Sequence, residues 1–430
     1  MKRISVVTLG CKVNQYDTAA ILNRLPESRY KRVPFSEDAD VYIIDTCTVT
    51  HKADSEARNY IYRARRANPH GVVVVTGCYS QVSSDELRNV RGVDYIVGNS
   101  HKFSSLLKVI RTGKKQSEPY VFVSDFLKEK HRRFESPDIR YFPDRTRAFL
   151  KIQDGCDFRC SFCVIPFARG RSRSLGVADV LERMKTLANE GYKEIVLTGI
   201  HLASYGRDIQ SNLLELLGEI ERSKVLKWVR LSSLDPADIS RELIEFVASS
   251  ETICPSFHVA LQSGDREELR RMRRRYSPDK FKYVTDLIRE KLPDAAIGTD
   301  VMVGFPGETD REFGNTFELL RESQLTYFHV FPYSDRKGTA ACEMSNKVPV
   351  EIKRKRSRTL RDLGAKKKHN FYLGFIGKRV PVIVEKGARG TSRNYMSVVI
   401  PNMNLKIGHE VEVEIKDVNG GHAIGVLRSH

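Results

Sequence analysis

Residues Gly155–Cys163 read GCDFRCSFC and set Cys156, Cys160 and Cys163 in a C-x3-C-x2-C spacing on one short loop. An apolar run, Arg147–Ile152, precedes the loop and reads as a strand, so the three thiols follow a strand end. Thiolates crowded in this way point to metal. Structural zinc usually takes four protein ligands, commonly from paired C-x2-C knuckles; no second knuckle or nearby His-x3-His accompanies this loop. An iron–sulfur cluster held by three cysteines leaves one iron open, which is useful where a substrate must bind there.

Working downstream, strand patterns at Glu194–Leu197, Trp228–Leu231, Phe257–Leu261, Ile297–Val303 and Tyr327–Phe331 alternate with helix patterns at Val177–Glu190, Leu213–Arg222, Arg241–Ser249, Pro278–Leu292 and Asp310–Ser323. Six successive β/α units predict a partial (β/α)6 barrel whose site lies at the carboxyl ends of its strands. Thr198, Gly199, Ser232, Gln262 and Asp300 fall at such ends and are candidate cofactor or substrate contacts.

Upstream, Ile4–Leu9, Val41–Asp45 and Val72–Thr76 are β-branched runs that read as buried parallel strands, with helix patterns at Asp17–Leu25, Asp54–Ala67 and Ser84–Arg88. Cys11, Cys47 and Cys78 each close one of these strands. Ligand sites in parallel sheets form beyond the carboxyl ends of the strands, so these cysteines converge on a second three-thiolate site. Cys254 and Cys342 have no cysteine partner at ligand spacing and read as ordinary thiols.

After about Phe371, Arg379–Glu385, Tyr395–Ile400, His409–Ile415 and His422–Leu427 form short alternating strands separated by turn residues, the pattern of a small antiparallel barrel. The fold class is α/β throughout the first two parts. Residues 1–115 form a parallel α/β domain, 116–141 a basic linker that need not pack, 142–370 the barrel and 371–430 the terminal β module.

A net charge of +18, from 72 basic and 54 acidic residues, favours a polyanionic partner. Glu351–Lys368, EIKRKRSRTLRDLGAKKK, carries nine basic and two acidic residues beside the terminal module, and RRMRRRY (Arg270–Tyr276) is a second basic run. Arg169, Arg171 and Arg173 follow the cysteine loop and, with Arg274, are candidate phosphate or carboxylate contacts. No run of about 18 apolar residues is present to cross a membrane. The start, MKRISVVTLGC, lacks the apolar region of a signal peptide. A cytoplasmic protein with reduced cysteines is expected.

These segments together resemble a known family. The C-x3-C-x2-C loop with Phe162 before its last cysteine is similar to the radical S-adenosylmethionine (SAM) superfamily. TLGCKVNQYDT, DTCTVT and TGCYSQ resemble the three cluster segments of the methylthiotransferase amino-terminal domain, and LTGIHLASYG, LSSLDP, HVALQSG, TDVMVGFPGET and VFPYSDRKGTA its radical core. The terminal module resembles the TRAM domain, which that family uses to hold RNA. Asp45 departs from the family's usual Asn, which adds a negative charge near the second triad and bears on its potential.

The resemblance implies one [4Fe–4S] cluster on Cys156, Cys160 and Cys163 that binds SAM, and a second on Cys11, Cys47 and Cys78 that carries the sulfur. TLGCKVNQYD resembles the branch acting on N6-threonylcarbamoyladenosine in tRNA. Isopentenyladenosine or a ribosomal protein are the alternatives within the family. Such chemistry needs an electron donor and a sulfur source that the residues do not identify. A non-catalytic RNA-binding protein with structural zinc is the reading of another class.

Overall fold

The computed structural model describes residues 1–128, 134–142, 145–401 and 405–427. The predicted basic linker falls partly on 129–133, and the terminal module partly on 402–404 and 428–430, outside the described residues. The chain divides into two compact units. One comprises Met1–Tyr141, Lys151–Leu175 and Ser334–Cys342; the other comprises Phe142–Leu150, Gly176–Tyr333 and Glu343–His430. The cysteine loop at 156–163, expected with the barrel, groups with the amino-terminal residues.

The first unit is built on a six-stranded parallel sheet in the order β2-β1-β3-β4-β5-β6, with β1 Lys2–Thr8, β2 Tyr30–Arg32, β3 Val41–Thr46, β4 Val72–Gly77, β5 Tyr95–Gly98 and β6 Tyr120–Phe122. β3 (VYIIDT) and β4 (VVVVTG) are buried at every position, as β-branched runs in the middle of a doubly covered sheet should be. Successive side chains alternate between two cores. Tyr42, Ile44, Val73 and Val75 pack with Ala57 and Ile61, whereas Val41, Ile43, Val72 and Val74 pack with Leu106 and Ile110.

The helices of this unit are α1 Lys12–Leu22, α2 His51–Ala67, α3 Cys78–Val82, α4 Ser84–Arg88, α5 Lys102–Thr112 and α6 Ile165–Arg169. Thr50 caps α2 by accepting from Ala53 N–H at 3.2 Å. The linker region packs more than its polar composition suggested. β6 adds to the sheet edge, Tyr16 donates its hydroxyl to Pro137 O at 2.7 Å, and Asn23 binds the backbone of Arg140 and Tyr141. Tyr16 of α1 and Asn23 at its C-terminal cap thus bind the backbone of the segment, which also buries Phe126 and Ile139.

The second unit carries the β/α series: β7 Ala148–Lys151, β10 Glu194–Thr198, β11 Trp228–Leu231, β12 Ser256–His258, β13 Ala296–Val303 and β14 Tyr327–Pro332. A short hairpin of β8 Gln153–Asp154 and β9 Arg173–Ser174 brackets the cysteine loop in the first unit. The six strands lie as two three-stranded sheets, β11-β10-β7 and β12-β13-β14, and isolated parallel bridges Val229–Ile253 and Leu234–Val259 connect β11 towards β12. The interleaved helices are α7 Val177–Asn189, α8 Leu213–Ser223, α9 Arg241–Ser249, α10 Arg266–Arg271, α11 Pro278–Lys291 and α12 Asp310–Glu322. At the start of α12, Thr309 and Glu312 form a capping box, which accounts for the FPGET turn before it.

Helix α13 (Val350–Leu373) holds the long basic run and leads into a closed barrel in the order β15-β16-β17-β19-β18. Its strands are β15 Arg379–Glu385, β16 Arg389–Ser392, β17 Ser397–Val399, β18 Glu410–Asn419 and β19 His422–Leu427. The Ser392–Tyr395 turn fixes this barrel to the β/α series. Arg230, ion-paired with Glu194 at 2.7 Å, donates to Arg393 O at 3.1 Å, and Asn394 donates to Asp294 O at 2.8 Å.

Candidate functional site

Adjacent strands β1, β3 and β4 set the amino-terminal triad. Their register pairs Thr8 with Asp45 and Thr46 with Gly77, so Cys47 and Cys78 follow directly beyond paired positions and Cys11 comes after Leu9 and Gly10. Gly10 permits the approach. It holds φ +101°, and a Cβ there would stand 2.7 Å from Cys47 Cβ and 3.1 Å from its Sγ. Burial, then Cys78 and Cys11 in turn, push the Cys47 thiol up to about 12. Burial also raises Cys78, although the Arg169 charge opposes it. Thiols so placed keep their protons until a metal displaces them, which is how ligand sets of this kind load.

Beneath this triad lies a buried charge network that sequence reading missed, apart from Asp45 and Arg169. Lys102 Nζ contacts Asp45 Oδ1 and Oδ2 at 2.9 and 3.1 Å and Asp17 Oδ2 at 3.6 Å. Lys151 Nζ reaches Asp17 Oδ1 at 2.6 Å and Asp154 at 3.5 Å. Arg169 Nη1 reaches Asp17 at 3.3 Å and Asp154 at 3.1 Å. Burial works against the Asp17 charge, but Lys151, Lys102 and Arg169 outweigh it and hold its pKa down. Asp45 pairs with Lys102, and burial outweighs that ammonium and leaves its carboxyl raised. The negative charge expected from Asp45 is therefore matched by an ammonium, not left bare beside the thiols.

The loop triad is organised locally. Gly155 (φ +74°) opens the loop where a Cβ would stand 2.0 Å from Arg171 O, so only glycine fits the close pass against the returning chain. Cys156 N–H donates to Gly170 O at 3.0 Å, and Cys163 N–H to Cys160 O at 3.1 Å. Ala341 N–H binds Ser161 O at 2.7 Å. From the same segment, Arg336 holds Thr48 O and Oγ1 at 3.2 Å each and Asp54 at 2.5 Å, clasping the chain just after Cys47. Both triads are thus stapled by the segment Ser334–Cys342. Among the described residues, no three Cys, His, Asp or Glu side chains close around a single ion. The all-thiol donor sets, three and three, suit iron–sulfur chemistry.

In the second unit, Thr198 ends β10 and Ser232 follows β11, both buried, and neither hydroxyl has a hydrogen-bond partner among the described residues. A buried hydroxyl without a partner is unfavourable in an empty protein; a polar cofactor satisfies it. Gly199 follows Thr198 directly. Gln262 takes φ +66° and bridges to β13, where its N–H donates to Asp300 O at 2.9 Å. Asp300 departs from expectation: it lies inside β13, not at its end, and its carboxylate stands 3.1 Å from His258 Nε2. The loop residue His201 stands 3.4 Å from Asp238.

The arginines separate. Arg169, expected at an RNA or carboxylate contact, is 2 % exposed and committed to the buried network. Arg171 is exposed. Arg173 donates to Arg169 O at 2.8 Å and lies 5.6 Å from the centre of the Phe126 ring. Arg274 pairs with Asp235 at 2.5 Å over the Tyr276 ring, and Arg271 pairs with Glu312 at 2.7 Å. The run at 270–276 is therefore less open than its composition suggests, because alternate arginines fold back on helix-capping and strand-end carboxylates.

Comparison with known proteins agrees with this arrangement. Residues 3–98 match the uncharacterized protein family UPF0004, and residues 150–320 match the Radical SAM superfamily. The chain is 41 % identical over 92 % of its length to threonylcarbamoyladenosine tRNA methylthiotransferase MtaB of Aquifex aeolicus (strain VF5), covering 96 % of that protein. Against the enzyme of the same name from Bacillus subtilis (strain 168), it is 39 % identical over 96 % of this chain and 94 % of the other. Among solved structures, the radical SAM methyltransferase TsrM of Kitasatospora setae, with cobalamin and a [4Fe-4S] cluster bound, aligns with a TM-score of 0.56. That alignment has 18 % identity over 77 % of this chain and 75 % of TsrM, a likeness of fold. With both halves matched in order and relatives this similar over nearly their whole length, the chain belongs to the radical SAM methylthiotransferase family.

Proposed function

We propose that the chain attaches a methylthio group to C2 of N6-threonylcarbamoyladenosine next to the anticodon of tRNA, giving 2-methylthio-N6-threonylcarbamoyladenosine. The observation that carries this reading is the 39 to 41 % identity, over nearly the full length, to two enzymes named for that nucleoside. Relatives named for dimethylallyladenosine, the isopentenyl alternative, are less similar, at 30 to 32 % identity over nearly the whole chain.

Cys156, Cys160 and Cys163 would hold a [4Fe–4S] cluster, and Cys11, Cys47 and Cys78 a second. When bound, the clusters and SAM supply one-electron cleavage of the sulfonium and the sulfur and methyl groups that are transferred. The unpartnered hydroxyls of Thr198 and Ser232, with Gly199, Gln262 and Asp300, are proposed to bind and orient SAM. Holding a reactive species next to one ring carbon, with water excluded, is the protein's main contribution to such chemistry. Exposed Arg354, Lys355, Arg358, Arg361 and Lys366 on α13, together with Arg171, are proposed to contact tRNA phosphates. The protein is expected to work in the cytoplasm; no helix among the described residues is long and apolar enough to cross a membrane.

The test is turnover of reconstituted enzyme with SAM, a chemical reductant and two anticodon stem-loops, one carrying threonylcarbamoyladenosine and one isopentenyladenosine. Mass spectrometry of the digested nucleosides should show a methylthio gain on the first alone. A gain on the isopentenylated RNA alone would overturn the branch, and a gain on neither the reaction.

A further inference from the structure

Arg169 is the last residue of α6, the helix that follows the radical-type cysteine loop, yet its head group lies among residues of the other triad. Its Nη2 donates to Asn14 Oδ1, and the same amide oxygen stands 3.9 Å from Cys11 Sγ. The Asn14 amide nitrogen donates to Leu9 O at 3.0 Å and Thr46 O at 2.9 Å, the carbonyls preceding Gly10–Cys11 and Cys47. A second link runs in parallel. Asn99 Nδ2 stands 3.5 Å from Cys78 Sγ and 3.0 Å from Ala168 O, the residue before Arg169. Two asparagines therefore tie α6 to all three strand-end cysteines.

The guanidinium is 2 % exposed, its Nη1 is engaged by Asp17 and Asp154, and its Nε–H has no acceptor among the described residues. An unpartnered buried N–H on a cation is unfavourable unless a ligand completes it. Its charge is matched within the network, where Asp17, Asp45 and Asp154 face Lys102, Lys151 and Arg169, with Arg173 4.0 Å from Asp154 as a fourth cation. Glu135 lines the same cavity as Arg169 and Arg173, and the network adjoins three cysteines that become thiolates on binding a cluster.

We propose that Arg169 is a positioning residue for the cluster on Cys11, Cys47 and Cys78: a fixed buried cation, delivered by the helix of the other cysteine loop, that stabilises the added electron of that cluster and donates Nε–H to its sulfur. Hydrogen bonds to sulfur and nearby charge are the levers by which a protein sets a cluster's potential. The inference rests on the reading that the strand-end triad binds an iron–sulfur cluster.

The test uses the full chain carrying Cys156/Cys160/Cys163→Ala, reconstituted so that only the strand-end triad can load. Iron, acid-labile sulfide and the midpoint potential are measured for this parent, for Arg169→Gln and for Arg169→Lys. The expected result is a tenfold or greater loss in the reduction equilibrium for Arg169→Gln, about 59 mV for one electron, with most of it recovered in Arg169→Lys. Equal potentials in parent and Arg169→Gln would overturn the proposal. If Arg169→Gln takes up no cluster, a loaded Arg169→Lys with near-parental potential supports it, and an empty Arg169→Lys overturns it. A parent without iron and sulfide would overturn the underlying reading as well, and is distinguishable because Arg169 is intact there.

Discussion

The two cysteine triads present the same three thiols by opposite means. Cys156, Cys160 and Cys163 sit on one loop, shaped by Gly155 and by backbone hydrogen bonds between near neighbours. Cys11, Cys47 and Cys78 are far apart in sequence and meet only because β1, β3 and β4 pair in register. A local ligand set needs little support and leaves its loop free to present an open iron. A set assembled from three strand ends needs the sheet, the glycine that lets Cys11 approach Cys47, and the matched charges of Asp17, Asp45, Asp154, Lys102, Lys151 and Arg169 behind it. The difference teaches where each site should be fragile: the loop in its ligands alone, the strand-end site in its surroundings as well.

Lys102→Met should break the comparison hardest. It leaves Asp45 buried without its ammonium, an effect on the order of 3–5 kcal/mol in unfolding. Adding Asp45→Asn should restore much of the loss, and a double-mutant cycle by urea unfolding measures the coupling. Single Asp45→Asn should cost less, about 1–3 kcal/mol, since Lys102 keeps Asp17.

Acid comes next. Asp17 and Asp154 are held below the usual carboxylate range, the burial of each being outweighed by neighbouring cations. Their contribution is present above the unfolded value of about 3.9 and is lost as pH falls through the folded values. Thermal unfolding between pH 5 and about 3 should therefore show the first unit weakening progressively below about pH 4. Flat stability there would mean the network is not ionised as drawn.

The smaller effects sharpen the contrast from the other side. Thr198→Val and Ser232→Ala remove hydroxyls that have no partner, so the protein without SAM should keep its stability or gain slightly. SAM affinity should fall about tenfold per substitution, near 1.4 kcal/mol, as read by equilibrium binding to the reconstituted enzyme. Loss of stability without loss of affinity would make both residues structural. Smallest of all, Arg354→Ala or Arg358→Ala should lower the salt slope of tRNA binding by about 0.7–0.9 for each phosphate contact removed.

The same contrast marks what was legible in the sequence. The C-x3-C-x2-C loop announces itself by spacing, and the strand-end triad emerges once the β-branched runs are drawn as parallel strands. Short strands escaped notice: the edge strands Tyr30–Arg32 and Tyr120–Phe122 and the interior strand Tyr95–Gly98 carry too few residues for a period to show. Asp300 does not end a strand: the predicted run Ile297–Val303 already passes through it, as β13 does. Arg169 was read as a surface contact from its basic neighbours, since composition cannot reveal that carboxylates distant in sequence gather around it. Lys102, Lys151 and Asn14 gave no signal at all, for buried charge pairs depend on tertiary contacts that have no local pattern. The linker shows the reverse error, where a polar stretch packs because α1 offers Tyr16 and Asn23 to its backbone.

The most direct test of two independent clusters is anaerobic reconstitution with iron and acid-labile sulfide counted per chain, in the unsubstituted protein and in each triple alanine variant. The account predicts about eight irons and eight sulfides for two cubane clusters, and a fall by half whether Cys11/Cys47/Cys78 or Cys156/Cys160/Cys163 is removed. Zinc without sulfide, or a full complement retained after either triad is lost, would contradict it.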